Sequence, residues 1–184
     1  MARTRSSVAR RYAEAAFEIA ERDSNVDQWL NQFRVLATAV GDENLARRLE
    51  NPEIPIDERL QAARIAIGAD AVTQLVNLVR LVLRRRNVET VAHIYREFRR
   101  LYNRREGIVE ANATSAAELD ADELRALRSR LEQMTGNRVE LQTQVDPSLL
   151  GGIQVRVGDL LIDGSVRGHL ERLRIRLASG ALTP

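Results

Sequence analysis

The 184-residue sequence contains no cysteine, and although it has 28 basic residues it contains no lysine: every one is arginine. Without cysteine there is no disulfide framework, no thiolate metal site and no cysteine nucleophile. Without lysine there is no Schiff-base chemistry and no P-loop, whose motif closes on Gly-Lys-Ser/Thr. Aromatic residues make up only 4% of the chain. Long apolar runs are also missing. The greasiest stretch, Ala71 to Leu83, is interrupted by Gln74, Asn77 and Arg80, whereas a bilayer span needs about 20 apolar residues. The basic start, Met1 to Arg5, leads into an amphipathic period with glutamates instead of the apolar core of a signal peptide. The expectation is a soluble, cytoplasmic chain.

What is present is charge of both signs. The sequence pI of about 9.6 suggests a nucleic-acid partner, but the formal net charge is only +2. With two histidines and no lysine or cysteine, little titrates between the carboxylates and the arginines, so a small excess drives the pI far up. Residues 1–105 hold 19 arginines against 14 acidic residues, and residues 106–184 hold 9 against 12. This asymmetry suggests two segments with different surfaces and partners.

The first segment reads as six helices. Ser6 or Ser7 can cap the first, whose apolar face is Val8, Tyr12, Ala15, Ala16 and Ile19. Ser24 with Asp27 resembles a capping box opening a second, which carries Val26, Trp29, Leu30, Phe33 and Leu36 and ends at Gly41. Asp42 caps a short third. Pro55 suits the first position of a fourth, ending at Gly68. The fifth, roughly Asp70 to Arg85, is apolar around most of its circumference, so it lies mid-bundle or turns its spare side to a partner. The sixth runs from about Val88 to Arg105. Short connections make these a compact bundle.

At Gly107 the period changes from helical to alternating. Ile108 to Thr114, Arg138 to Val145, Ile153 to Val157 and Leu160 to Ile162 read as strands. Asp120 caps a helix ended by Gly136, Gly158-Asp159 turns a hairpin, and a last helix carries Val166, Leu170, Leu173 and Leu177. The expected fold class is mainly α: a six-helix bundle over residues 1–105, then a small α+β domain over 106–184.

Catalytic signals are weak. His93 and His169 lie inside separate helices, without a second ligand at helical spacing, so a metal site is disfavoured. The glycines Gly151, Gly152 and Gly158 lack phosphate-loop spacing. No nucleophile-base pair is visible, and no cofactor is expected. Arg84-Arg85-Arg86 and the series Arg99, Arg100, Arg104, Arg105 invite phosphate contact, yet both finish helices, where cations complement the macrodipole. Surfaces remain. Small residues on the first helix (Ala9, Ala13, Ala15, Ala16) beside the over-apolar fifth suggest a groove for an amphipathic helix, although bundle core is the better account of any single position.

Two stretches carry a family resemblance. Ser7-Val8-Ala9-Arg10-Arg11-Tyr12-Ala13-Glu14-Ala15-Ala16-Phe17 resembles the opening of the delta subunit of bacterial F-type ATP synthase, the counterpart of the mitochondrial oligomycin-sensitivity-conferring protein. Asp146 to Ile153, then Gly158-Asp159-Leu160-Leu161-Ile162-Asp163-Gly164-Ser165-Val166-Arg167-Gly168, followed by Leu170 and Leu173, resembles the same family's most distinctive segment. The resemblance implies a non-catalytic stator subunit, one copy per complex, peripheral on the cytoplasmic face of the cell membrane, with no cofactor. It further implies that the bundle receives the N-terminal helix of an alpha subunit between its first and fifth helices. Tyr12, Ala15, Ala16 and Ile19 would form one wall, and Leu75, Leu78, Val79 and Val82 the other. The second domain would meet the b-subunit stalk, with Gly151, Gly152, Gly158, Asp159, Asp163, Gly164, Ser165, Arg167 and Gly168 as its motif. The alternative reading from composition is a basic helical RNA-binding protein, distinguishable by salt-dependent binding to generic RNA.

Overall fold

The structure, a computed structural model, describes the backbone of residues 2–178 and the side chains of residues 7–175, 177 and 178. The chain divides between Asn103 and Arg104 into two compact units. The first holds α1 (Ala2–Arg22), α2 (Val26–Val40), α3 (Glu43–Glu50), α4 (Ile56–Ile67), α5 (Thr73–Arg84) and nearly all of α6 (Thr90–Arg105). The second holds β1 (Ile108–Ser115), α7 (Ala121–Thr135), β2 (Arg138–Val145), a short 3-10 turn, β3 (Ile153–Val157), β4 (Leu160–Asp163) and α8 (Val166–Ala178). The fold is a six-helix bundle followed by a small α+β unit.

Aromatic packing centres the bundle. Phe98 of α6 meets Phe17 of α1 edge-on at 5.2 Å, and Phe33 and Trp29 of α2 at 5.1 and 6.2 Å. Such offset and edge contacts add about 0.5–1.5 kcal/mol beyond area burial. Trp29 is therefore a core residue. Two buried polar side chains fasten the connections. Gln32 donates to the Asp70 carbonyl and accepts from the Val72 N–H, both at 2.9 Å. The Arg59 guanidinium donates to the Ile54 and Leu49 carbonyls at 3.0 and 3.2 Å, pinning the α3–α4 corner.

Several helix starts differ from expectation. The first helix begins at Ala2 and runs through Ser6 and Ser7; the alanines and arginines around them are good helix formers. Ser24 does not cap α2. It adopts a left-handed backbone (φ 55°), and Asn25 takes the cap position without a side-chain bond. Pro55 is the cap of α4, one position before the helix, and α5 begins at Thr73 because Ala71 and Val72 are extended into the Gln32 tether. The caps at Asp42 and Asp120 form as read: Asp42 accepts from Asn44 and Leu45, and Asp120 with Glu123 makes a full capping box.

In the second unit the strand order is β2-β1-β3-β4, with β1 and β2 parallel and the other pairs antiparallel. The helix α7 makes the crossover that a parallel pair requires. Register sets Ala111 against Leu141 and Val157, and Ala113 against Val155. With Val139 and Leu131 of α7 these form a separate small core. On β2 the alternation holds, but only Val139 and Leu141 gain cover; Val145 is exposed.

Candidate functional site

Two side-chain contacts fix how α1 and α5 run together. Gln74, at the start of α5, donates to the Asp23 carboxylate just beyond the end of α1, at 3.3 Å. At the other extreme the Arg85 guanidinium carbon lies 5.9 Å from the centroid of the Tyr12 ring. The helices are therefore antiparallel, and the seam between these contacts is about 16 Å long at 1.5 Å per residue. The same register sets Ile19 opposite Leu78, and Ala15 and Ala16 opposite Leu81 and Val82. Small side chains on one helix face larger ones on the other.

The eight expected wall residues split by burial. Tyr12, Ile19 and Leu78 are half-buried on the margin of the core, and Ala15 is exposed. Ala16, Leu75, Val79 and Val82 are buried in the core itself, between 0 and 3% exposed. Of the four α5 positions Leu78 alone is partly open, and Leu75, Val79 and Val82 are covered by the bundle's own packing. Helical period turns 75, 79 and 82 inward and 78 and 81 outward, so Leu78 is joined at the surface by Leu81, which is 47% exposed. An apolar count around the helix could not have separated the two sides. A second apolar depression, about 440 Å³, lies between α3 and α4 beside the exposed Ile65.

In the second unit the long motif shapes the chain. Asp163 Oδ1 accepts from the Ser165 N–H and hydroxyl at 2.9 and 2.7 Å, and Ser165 Oγ accepts from the Gly168 N–H at 3.0 Å. Ser165 is 2% exposed. The pair caps α8, and the Ser165 hydroxyl followed by its N–H holds the Asp163 carboxyl below its ordinary pKa. Arg172 Nη2 donates to the Asp163 carbonyl at 3.3 Å, and Arg167 donates to Ser148 Oγ at 3.4 Å. Gly152 has φ 75°, and a Cβ there would collide with the Gly164 carbonyl. A Cβ on Gly168 would meet the Asp163 carboxylate. Gly151 passes close to Val166, Gly164 lies against the Ile153 carbonyl, and Gly158 with Asp159 makes the exposed hairpin turn.

What this scaffold presents is apolar. Val166, Leu170, Leu173 and Leu177, at one helical stripe of α8, are each about half exposed, as are Leu160 and Leu161 on β4. An open cleft of about 760 Å³ lies beside them in sequence, lined by Leu119, Leu127, Leu150 and Ile153. Large apolar side chains left open at helical spacing are candidates for a partner contact.

Polar chemistry is sparse. His93 lies against Arg96, and His169 is 3.3 Å from Arg172. Among the described residues no group of three or more His, Asp or Glu side chains is placed to hold a metal ion. Several exposed cations are spent in local pairs, such as Arg100 with Glu97 and Arg105 with Glu106.

Comparison with known proteins follows this geometry. The profile of the family described as ATP synthase delta (OSCP) subunit matches residues 8–177. The ATP synthase subunit delta of Myxococcus xanthus is 38% identical over 175 residues, covering 93% of this chain and 96% of that one. That of Heliobacterium modesticaldum is 38% identical over 178 residues, covering 96% of each. Among solved structures, a chain of the Toxoplasma gondii mitochondrial ATP synthase hexamer shares the fold, with a TM-score of 0.70 at 18% identity, covering 96% of this chain and 98% of that one. These matches select the stator subunit that the resemblance implied over the RNA-binding protein that composition suggested. The chain belongs to the ATP synthase delta (OSCP) subunit family, and is a non-catalytic stator subunit of F-type ATP synthase.

Proposed function

We propose that the α1–α5 seam receives the N-terminal helix of an ATP synthase alpha subunit, and that the second unit meets the b-subunit stalk through the α8 stripe. One copy per complex then ties the catalytic head to the stalk on the cytoplasmic face of the cell membrane, so that the head does not turn with the rotor. Among the described residues no helix is long and apolar enough to cross a membrane, which suits a peripheral link.

The observation that carries the seam reading is that the half-buried Leu78 and the exposed Leu81 lie at the heights of Ala15, Ala16 and Ile19. A partner helix laid there gains an apolar strip against small residues that permit close approach. Desolvated anchors dominate such binding free energy, whereas rim charges set rate and register. That distribution suits a joint that must hold under torque. On α8 the stripe Val166, Leu170, Leu173 and Leu177 has the same character, flanked by Arg167 and Arg174.

The test is titration of the chain with a peptide of the alpha-subunit N-terminus. Leu78→Asp should weaken binding by more than about 2 kcal/mol, the hot-spot scale, with helical circular dichroism unchanged. Unaltered affinity would reject the seam. Val79 is buried, so its replacement reads folding instead.

A further inference from the structure

Arg84, Arg85 and Arg86 stand at the end of the α1–α5 seam, all three exposed. On α5 and its C-cap, Leu78, Leu81 and Arg85 follow at three- and four-residue steps, so a cation continues the apolar stripe. Its guanidinium rests near the face of Tyr12, which holds it at the mouth of the seam. Four other basic side chains of this unit have acidic partners: Arg10 with Glu14, Arg22 with Asp23, Arg47 with Glu43 and Arg80 with Asp57. The side chains of Arg84, Arg85 and Arg86 have no ion pair or hydrogen bond among the described residues. Complementing the helix macrodipole accounts for Arg84 and Arg85. Arg86 lies past the helix in a left-handed conformation, φ 51°, outside the last turn where that effect operates. At the far end of the seam the Asp70 carboxylate lies near Gln28, while the Asp23 carboxylate beside Gln74 is already paired with Arg22.

We infer that the helix bound in this seam carries acidic side chains on the end lying beside Arg84–Arg86, and that this charge contact fixes the direction in which it lies. The inference rests on the helix-in-seam reading. Apolar burial is non-directional, so Leu78, Leu81 and Ile19 hold a helix in either direction almost equally. The basic end distinguishes the two: the correct direction brings acidic side chains to the arginines, and the reversed one forgoes that attraction and sets them near the Asp70 carboxylate.

The experiment uses the full chain and an alpha-subunit N-terminal peptide with its amines acetylated. Arg84→Gln, Arg85→Gln and Arg86→Gln made together should weaken binding about tenfold at low salt, the sum of three exposed contacts. They should also flatten the salt dependence seen with the unaltered chain. Because the chain has no lysine, Arg85→Lys supplies its one side-chain amine. Carbodiimide should then join that amine to carboxylates near one end of the peptide, and Gln74→Lys should not reach the same carboxylates. Unchanged affinity and salt dependence in the triple variant, or coupling of both new amines to the same carboxylates, overturns the inference. Leu78→Asp separates the two levels. If it abolishes binding while the triple variant leaves affinity and salt dependence unchanged, the seam stands and the charge contact falls; if it has no effect, the seam itself falls.

Discussion

The two units divide the work of folding and binding in opposite ways. The bundle builds one large core around Phe98, Phe33, Trp29 and Phe17, and its candidate surface is the outer margin of that core, a turn of helix away from Val79. The α+β unit buries only a handful of side chains around Ala111, Ala113, Val155 and Leu131. A core that small is marginal alone, and the unit adds polar and steric devices: the Asp163–Ser165 cap, the Gly152–Gly164 approach and the Arg172 tie. Its candidate surface, the α8 stripe, stands apart from them. A long sequence motif therefore marks the place where shape is hardest to make, and plain leucines at helical spacing mark the surfaces proposed for a partner.

This contrast can be broken in several places, and the largest effect is expected in the bundle core. Val79→Asp buries a carboxylate where 3% of the side chain reaches solvent. It should destabilise unit 1 by more than about 4 kcal/mol, read as loss of the cooperative helical transition in urea. Leu81→Asp, two residues on and exposed, should shift the same transition by less than about 0.5 kcal/mol. Equal effects would erase the distinction between core and seam.

Next in size is the motif. Gly152→Ala places a Cβ at positive φ against the Gly164 carbonyl and should cost about 2 kcal/mol or more, seen as a lower melting temperature for the second unit. Smaller still is the titration of Asp163. Its folded-state pKa lies below the ordinary carboxylate value because Ser165 bonds the charged form. The ionised carboxylate thus stabilises the fold above the unfolded pKa, and that contribution is lost as pH falls through the lower folded value. The stability gap between the chain and Asp163→Asn should be widest at neutral pH and close below about pH 4. A gap that widens on acidification would contradict the cap.

How much was legible in the sequence follows the same physics. Local features were: Asp42, Asp120 with Glu123, and the Gly158 hairpin are settled within four residues of chain. Ser24 with Asp27 has the look of a cap, but the α1–α2 corner is closed by the Asn25 N–H reaching the Ala20 carbonyl at 3.0 Å, which forces Ser24 left-handed. Gln32 and Arg59 could not be foreseen as buried, because their partners Asp70, Val72 and Leu49 are set by tertiary packing. The sequence marked α5 as over-apolar. Which side faces outward depends on where α1, α2 and α4 lie, and so Leu75, Val79 and Val82 joined the expected wall while Leu81 did not. The family resemblance points to residues 146–168, whose Asp163, Ser165 and glycines hold the start of α8 in place.

The central claim is that the two partners are held by exposed leucines just off each core, independently of one another. A crossed titration tests it most directly: the chain, Leu81→Asp and Leu173→Asp, each against an alpha-subunit N-terminal peptide and a C-terminal fragment of the b subunit. Leu81→Asp should lose the peptide by about 2 kcal/mol or more and keep the stalk fragment, and Leu173→Asp should do the reverse. Both variants binding both partners like the unaltered chain, with folds intact, would contradict the account.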